Sequence, residues 1–284
     1  MSNAPDVTAR IERLFVYPVK SCAGIELKEA LLTETGLDLD RAWMVVDEQG
    51  TFVTQRELPR MALVRPQLKL TEVVLRAPGM LALHLSIDTV EEAVKVRLWD
   101  DEVPAFDMGN VAAQWFSDFL GRKLRLVRFD PDYRRLSDRK WTGGAEAPNQ
   151  FSDGYPVLVA STASLDLLND KLRAAGREPV GIERFRPNIV LSGIEAHDED
   201  RLGLMRIATG DGEAQLRAVK PCARCPIPNV DPATGEVDPV VTDTLQGYRR
   251  GDRGVTFAMN AIVVEGDGHT LRVGQPVSAD WKFD

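Results

Sequence analysis

Cysteine and histidine are scarce in this chain of 284 residues, which contains three of each. A tetrahedral zinc site usually needs a second Cys-x-x-Cys pair or a pair of histidines beside the first. Outside the one Cys-x-x-Cys pair, the possible ligands are dispersed along the chain: Cys22, His84, His197 and His269. Three cysteines are also too few for a disulfide framework and are typical of a reducing compartment.

Long apolar runs are absent as well. The chain has no stretch of about 18 apolar residues, which a transmembrane helix requires, and its first ten residues contain no apolar core of a secretory signal. The net charge of −8 argues against a general nucleic-acid surface, because such surfaces carry a basic stripe. We therefore expect a soluble cytoplasmic protein that binds neither nucleic acid nor membrane.

The two neighbouring cysteines lie in segment 219–235, which begins Val-Lys-Pro-Cys-Ala-Arg-Cys-Pro. Lys220 and Arg224 flank them, and a cation beside a partly exposed cysteine favours the thiolate, the form that binds metals or attacks electrophiles. Three prolines follow at short intervals: Pro226, Pro228 and Pro232. A regular helix cannot form there, which argues against a thioredoxin-like dithiol motif, since that motif opens a helix.

Hydrophobic periodicity predicts a β-rich fold. Alternating segments predict strands at 10–17, 43–47, 68–71, 94–99, 124–129, 188–191 and 261–264. Segment 43–54 has the pattern of a hairpin with a glycine-bearing turn, so the first half is expected to form a small barrel or sandwich. Helical spacing with a glycine at the end predicts helices at 111–120 and 164–173.

A long aperiodic stretch, 130–150, separates the two halves of the chain. A loop of this length in a compact enzyme is commonly an active-site wall or a lid. Trp141 in this loop either anchors it to the body of the protein or lines a substrate pocket, and we favour the anchor.

Segment 219–235, with Lys-Pro-Cys-Ala-Arg-Cys followed by Val-Asp-Pro-Ala-Thr-Gly, resembles the cysteine motif of MOSC-domain proteins, the family of the molybdenum cofactor sulfurase C-terminal domain. Further motifs resemble the family in its order along the chain: 16–24, 36–47, 151–156, 161–165 and 185–190. The first two match the N-terminal β-barrel domain of one subgroup. That subgroup contains the mitochondrial amidoxime-reducing component and its bacterial relatives, and the resemblance covers nearly the whole chain.

The resemblance implies an α+β, β-rich fold, in which an N-terminal β-barrel domain packs on a MOSC β-barrel domain with a few helices. The implied domains are residues 1–125 and 126–284, with the cofactor cysteine motif at 219–235. It also implies a molybdenum cofactor, in which a pterin dithiolene and one protein thiolate hold the metal. Cys225 is the implied ligand and catalytic residue, whereas Cys222 and Cys22 are interpreted as structural.

The resemblance further implies which residues bind the phosphate-bearing pterin. They come from the barrel domain as Lys20, Ser21 and Arg41, and from the MOSC domain as Ser161, Thr162, Arg186, Asn188, Arg224, Cys225 and Asn260. Arginine suits this task because its planar fork matches phosphate oxygens in two-point fashion. The hydroxyls of Ser161 and Thr162 precede a predicted helix, so an N-cap explains them equally well. Around Asn260 the match is looser, since Ala258 and Met259 depart from the Phe-Gly-Gln that the family often shows.

Several cations are concentrated in or beside these motifs although the whole chain is acidic. They are Lys20, Arg41, Arg56, Arg186, Lys220, Arg224, Arg249 and Arg250. Their concentration indicates a compact anionic ligand. The alternative for each one is an ordinary surface salt bridge.

By resemblance, the expected function is a molybdenum-cofactor-dependent reduction of N-hydroxylated small molecules, namely hydroxylamines, amidoximes and N-hydroxylated bases. No cysteine follows Cys225 before the end at Asp284, so no iron-sulfur cluster is expected and the electrons must come from a separate donor protein. One alternative is a MOSC protein that carries the cofactor, or sulfur as a persulfide on Cys225, without reductase activity. A zinc or pterin-free binding module is a third alternative.

Overall fold

The computed structural model describes residues 5–89 and 92–282, which contain nineteen strands and four α-helices. The strands in the first half are β1 (Val7–Val16), β2 (Ile25–Leu27), β3 (Glu29–Thr33), β4 (Gly36–Leu37), β5 (Trp43–Asp47), β6 (Arg65–Leu68), β7 (Glu72–Arg76), β8 (Leu83–Ser86), β9 (Ala93–Leu98), β10 (Asp101–Asp107) and β11 (Leu124–Phe129). The later strands are β12 (Val157–Ser161), β13 (Ile189–Ser192), β14 (Leu202–Thr209), β15 (Gly212–Ala223), β16 (Arg250–Gly251), β17 (Gly254–Glu265), β18 (Thr270–Arg272) and β19 (Pro276–Trp281). The α-helices are α1 (Gly109–Leu120), α2 (Arg139–Thr142), α3 (Thr162–Ala174) and α4 (Val240–Arg249).

Seven strands close into a barrel in the order β12-β13-β1-β19-β14-β15-β17, and β17 pairs back onto β12. Closure leaves this sheet without a free edge. β12 and β13 run parallel, and α3 provides the crossover that a parallel connection needs. β1 comes from the start of the chain but lies between β13 and β19, with Arg10 opposite both Ser192 and Pro276.

Alternation along β1 shows how the sequence fills the barrel. Val7, Ala9 and Ile11 are buried, whereas the intervening Thr8 and Arg10 are exposed. Successive side chains of a strand point to opposite faces, so one face of β1 belongs to the barrel core and the other faces solvent. The same core contains apolar residues of β13, β14, β15, β17 and β19.

The first half adds two further sheets, β5-β11-β10-β9 and β6-β7-β8. Helix α1 packs on this half through Ala112, Phe116 and Phe119. It ends at Gly121, whose φ of 69° is in the left-handed region that glycine adopts without steric cost. The predicted helix at 111–120 and its glycine stop are therefore confirmed.

Most of the other predicted elements are confirmed, with local differences. The strand predicted at 68–71 is wrong, because β6 ends at Leu68 and β7 begins at Glu72. The segment between them is a turn in which Leu70 is 97% exposed. The second arm of the hairpin at 43–54 is reduced to an isolated bridge between Val46 and Phe52. The loop predicted at 130–150 contains the one-turn helix α2.

The predicted fold class, a β-rich α+β protein with a barrel and few helices, is confirmed. The division between residues 125 and 126 stays a prediction, and its outer limits at residues 1 and 284 lie outside the described residues. In the part of the chain that the structure describes, no helix has the length and apolar character needed to cross a membrane.

Candidate active site

A cleft between the two halves of the chain brings the sequence motifs together. Its empty space, including the solvent at its mouth, is about 700 Å³. Eight of the ten residues predicted to bind a cofactor line it: Lys20, Ser21, Arg41, Arg186, Asn188, Arg224, Cys225 and Asn260. We refer to this space as the inner cleft.

Ser161 and Thr162 do not line the inner cleft. Ser161 is fully buried, accepts a hydrogen bond from the backbone N–H of Ser164 (3.1 Å) and donates one to the Glu199 carboxylate (2.9 Å). These are the contacts of an N-cap at the start of α3. The capping alternative is therefore confirmed for Ser161, and its role as a cofactor contact stays a prediction. Thr162 is the first residue of α3 and lies outside the cleft with it.

Three cleft residues adopt a backbone conformation that L-amino acids seldom use. The φ angles of Ser21, Arg41 and Arg186 are 64°, 54° and 60°. Such left-handed conformations cost about 1–3 kcal/mol each in non-glycine residues and are concentrated at functional sites. The fold therefore holds these side chains in place at a cost in stability.

The two arginines among these residues are stacked on the buried ring of Tyr17. The guanidinium carbons of Arg41 and Arg186 lie 4.4 and 4.2 Å from its centroid, a favourable cation–π distance. Burial lowers the pKa of Arg186 to about 10, and the neighbouring charge of Arg41 acts in the same direction. A negatively charged ligand beside this pair would relieve the repulsion between the two cations.

The buried guanidinium groups also keep unused donors. Arg186 donates through Nη1 to the Cys22 carbonyl (2.6 Å), but its buried Nη2 has no hydrogen-bond partner among the described residues. Nε of Arg224 is likewise buried and unpaired, although its Nη1 donates to Cys222 Sγ (3.0 Å). Buried donors without acceptors are costly, so the residues present fit a ligand rich in acceptor oxygens, such as a phosphate-bearing pterin.

Asn188 positions other groups. Its Oδ1 accepts hydrogen bonds from Leu158 N (3.0 Å) and from Arg41 Nη1 (3.3 Å), while its Nδ2 donates to the Phe15 carbonyl (3.3 Å). Arg41 also donates to the Asp40 carboxylate and, through Nη2, to the Arg186 carbonyl (3.1 Å). Asn188 therefore joins β1 to β12 and holds the Arg41 guanidinium at the wall of the cleft.

Lys20 and Asp153 form an ion pair at the cleft. Nζ of Lys20 donates to this carboxylate and to the Phe151 carbonyl (2.8 Å). Burial lowers the pKa of Lys20, and the charge of Asp153 opposes that effect. Burial raises the pKa of Asp153, but Lys20 and the nearby Arg56 and Arg41 outweigh it and hold the pKa well below its usual range. Asp153 is therefore ionised at neutral pH and is a poor proton donor.

The three cysteines lie in different environments. Cys22 is fully buried in the core of the first half, and burial raises the pKa of its thiol to about 12, as befits a structural residue. Cys222 and Cys225 are both partly exposed and line the inner cleft. Cys222 accepts the hydrogen bond from Arg224 noted above. Cys225 lies between the end of β15 and the short 3₁₀ helix Ile227–Asn229.

Residues 5–89 and 92–282 contain no group of three or more His, Cys, Asp and Glu side chains that could hold a metal ion. Thiols and cations line the cleft, and cations repel a bare metal ion. The donor set instead fits a metal that arrives with its own ligands and with a negative charge, which is the character of a molybdenum-pterin complex.

Sequence reasoning did not assign every residue of the cleft. Thr54 and Arg56 follow the bridge at Phe52, Phe185 comes from the motif that contains Arg186 and Asn188, and Tyr155 comes from the motif 151–156, of which no residue was assigned to the site. Arg56 was recognised only as one of the concentrated cations. The hairpin predicted at 43–54 includes the bridge between Phe52 and Val46, but no local pattern shows that the chain then turns Arg56 into the cleft.

The remaining predicted cations lie elsewhere. Lys220 lies in an adjoining cavity, Arg249 pairs with Asp200, and Arg250 is exposed. Trp141 packs against two cations, with Arg253 at 4.4 Å and Lys220 at 5.1 Å from its ring. It does not line the inner cleft, so the contacts favour its predicted role as an anchor for the loop.

Comparison with known proteins agrees with this arrangement. Residues 8–123 match the family model of the MOSC N-terminal beta barrel domain, and residues 146–278 match that of the MOSC domain. The chain therefore belongs to the MOSC-domain family and carries the N-terminal barrel of one of its subgroups.

Its relatives include the mitochondrial amidoxime reducing component 2 of Rattus norvegicus, which is 33% identical over 94% of this chain and 82% of its own length. The mitochondrial amidoxime-reducing component 1 of Homo sapiens is also 33% identical, again over 94% of this chain and 82% of its own length. The molybdenum cofactor sulfurase of Bos taurus is 29% identical over 91% of this chain, which corresponds to 31% of that longer protein. The chain is thus a MOSC protein related to proteins of molybdenum-cofactor chemistry.

Proposed function

We propose that this protein is a molybdenum-cofactor-dependent oxidoreductase that reduces N-hydroxylated compounds such as hydroxylamines, amidoximes and N-hydroxylated bases. The observation that carries the proposal is the meeting of Cys225 with five cations in one cleft of a chain whose net charge is −8. Those cations are Lys20, Arg41, Arg56, Arg186 and Arg224. The names of the amidoxime-reducing relatives support the choice of substrate class.

In this proposal, Cys225 supplies the protein thiolate for molybdenum, because a soft thiolate suits that metal. Arg41 and Arg186 meet the pterin phosphate through their planar forks, and the unpaired Nη2 of Arg186 is one donor available for it. When bound, the cofactor supplies the redox chemistry, and the protein supplies binding, orientation and electrostatics. Electrons come from a separate donor protein, and the proposed location is the cytoplasm.

The surrounding residues keep the thiolate and the anion in place. Arg224 is fixed at both ends of its guanidinium, by Cys222 Sγ (3.0 Å) and by the Phe185 carbonyl (3.1 Å). Its guanidinium lines the inner cleft together with Cys225. Cys222 therefore acts as a positioning residue for Arg224, and a serine hydroxyl could accept the same hydrogen bond.

The second candidate is a carrier of the cofactor or of sulfur, with a persulfide on Cys225. The similarity to the molybdenum cofactor sulfurase favours it. The two candidates differ in what the purified protein holds and does. About one molybdenum per chain together with turnover of an N-hydroxylated substrate supports the reductase. An extra sulfur atom on Cys225, detected by mass spectrometry, or molybdenum without turnover supports the carrier.

The test compares Cys225→Ser with Cys222→Ser in cofactor-loaded protein, using anaerobic reduction of a hydroxylamine or an amidoxime with an artificial electron donor. We expect Cys225→Ser to abolish or greatly reduce turnover, because a hydroxyl is a poor ligand for a soft metal site. Cys222→Ser is expected to keep much of the activity. Comparable losses from both changes would point to a dithiol or zinc site that uses both sulfurs. Parental turnover in molybdenum-loaded Cys225→Ser would refute the ligand assignment.

A further inference from the structure

A second cavity opens onto the inner cleft. It has an empty volume of about 1270 Å³ and shares Arg56, Asp153, Gly154, Tyr155 and Cys225 with the inner cleft. We call this space the outer cavity. Because both spaces reach Cys225, a small molecule in the outer cavity lies next to the predicted metal ligand.

Trp99 lies at the wall of the outer cavity, and its indole is 42% exposed. It is the first residue of the two-residue turn between β9 and β10, where its φ is 56°. Glycine or asparagine is the usual choice for a positive φ in such a turn, and a bulky residue there is a genuine outlier. A tryptophan in this conformation costs stability, which indicates that its side chain serves a purpose at this position.

The indole is fixed from within the protein. The Phe52 ring lies 4.9 Å from it, and the Arg56 guanidinium carbon lies 4.6 Å from its centroid. Nε of Arg56 in turn donates to Thr54 Oγ1 (3.1 Å). These contacts hold one flank of the indole, so its exposed surface is a pre-organised aromatic platform on the wall of the outer cavity.

The charges around the outer cavity nearly balance. Its cations are Arg56, Arg135 and Lys220, and its carboxylates are Asp100, Asp101, Asp138 and Asp153. Two of the carboxylates are already paired, Asp101 with Arg135 (2.8 Å) and Asp153 with Lys20. Charge therefore gives this cavity little selectivity, whereas the apolar surfaces of Trp99, Leu136 and Tyr155 favour a flat uncharged ring.

We propose that Trp99 is a specificity-determining residue, whose indole stacks on the ring of uncharged aromatic N-hydroxylated substrates and so favours them over aliphatic ones. The inference rests on the proposed function for the reaction itself. The stacking is a separate property, because it requires only the outer cavity and the platform.

The test uses cofactor-loaded protein with benzamidoxime and acetamidoxime as aromatic and aliphatic substrates. For Trp99→Ala and Trp99→Gly we expect KM for benzamidoxime to rise about three- to tenfold, the size of an aromatic pairing contribution. We expect kcat to stay unchanged and acetamidoxime kinetics to remain parental, while Trp99→Phe keeps most of the preference. The matched control is Tyr133→Ala, which removes an exposed aromatic residue that lines neither cavity.

An equal rise in KM for both substrates, or no rise for benzamidoxime, would overturn the inference. Calorimetric binding of benzamidoxime to the same proteins separates this result from the proposed reaction. If the parent binds benzamidoxime more tightly than Trp99→Ala does but reduces neither substrate, the proposed function fails and the stacking stands. If the parent binds none, or binds it no better than Trp99→Ala does, the stacking fails whatever the turnover.

Trp99→Gly separates the effect of losing the indole from the effect of losing stability. Glycine accepts a φ of 56° without the steric cost that alanine bears. We therefore expect a higher Tm for Trp99→Gly than for Trp99→Ala, with the same loss of benzamidoxime affinity in both. If Trp99→Gly, the variant with the higher Tm, also bound benzamidoxime more tightly than Trp99→Ala, the affinity would depend on stability. That result would contradict a direct contact between the indole and the substrate.

Discussion

Arg186 combines three features that each cost free energy in the ligand-free protein. It lies beside a second cation, its backbone is left-handed, and one of its guanidinium nitrogens is buried without a partner among the described residues. Features of this kind persist where the surrounding structure imposes them and cluster at binding sites. We therefore expect an anionic ligand to relieve more unfavourable free energy at Arg186 than at the other residues of the cleft.

We expect Arg186→Ala to lose more cofactor than Arg250→Ala. Arg186 contributes a buried donor to the cleft, whereas Arg250 is an exposed arginine outside it. Arg186→Lys should restore only part of the retention, because an ammonium cannot reproduce the two-point geometry of a guanidinium. The measurement is molybdenum and phosphate content per chain after gel filtration. Equal retention in the Arg186→Ala and Arg250→Ala proteins would refute the assignment.

At the residue scale, the sequence motifs predicted which segments reach the inner cleft better than they predicted which individual side chains line it. The cysteine motif and the segments around Lys20, Arg41 and Arg186 all reach the inner cleft. The motif containing Ser161 does not, since a hydroxyl before a helix satisfies a cap as readily as an anion. Trp99 carried no signal either, because its left-handed φ is a property of the folded turn.

Among the elements, prediction succeeded where local pattern and packing agree. Helix α3 has helical spacing and a glycine just after its end, and it forms as predicted. Helix α4 was not predicted, because Val240, Val241 and Thr242 are β-branched and Gly247 lies within the helix, and all four residues weaken helix propensity. Burial of Val241 and Leu245 against the barrel nevertheless stabilises this helix.

Packing of α4 beside β17 also shapes the environment of His197. Its ring lies 5.7 Å from the Tyr248 ring and 6.0 Å from the Phe257 ring, and neither ring nitrogen has a partner among the described residues. Burial lowers the pKa of His197 to about 4, and the charge of Arg249 adds to this effect. The folded protein therefore takes up a proton here less readily than the unfolded chain does.

We expect His197 to make the protein less stable in mild acid. With a pKa of about 6.5 in the unfolded chain and about 4 in the folded protein, its stabilising contribution is complete above pH 6.5 and is lost as the pH falls towards 4. His197→Asn tolerates the φ of 67° and cannot titrate. Its free energy of unfolding in urea should therefore fall less than that of the parent over this range.

The comparison also controls for the neighbouring carboxyls. Burial raises the pKa values of Glu199 and Asp200, so these groups act in the opposite direction as the pH falls. Both groups are present in parent and variant, so the difference between the two proteins reports on His197. Identical pH profiles for parent and variant would show that the histidine is not held in its neutral form.

For the whole molecule, two of the apolar cores share no residue with the wall of the inner cleft. One apolar cluster fills the barrel, and another lies under α1 in the first half. We therefore expect cofactor-free protein to unfold in a cooperative thermal transition, unlike small zinc domains that fold only with their metal. Bound cofactor should raise the Tm, because it binds the folded state alone. Differential scanning calorimetry without cofactor tests this, and absence of any transition would contradict it.

The position of β1 between β13 and β19 has a consequence for the folding of the chain during its synthesis on the ribosome. Arg10 is synthesised long before its barrel partner Pro276. At translation speeds of roughly 5–20 residues per second, the first strand waits tens of seconds for its neighbours. Until then the nascent chain exposes an unpaired strand whose Val7, Ala9 and Ile11 belong in the barrel. Barrel closure thus waits for the synthesis of β19, and until then the unpaired strand can pair with other chains.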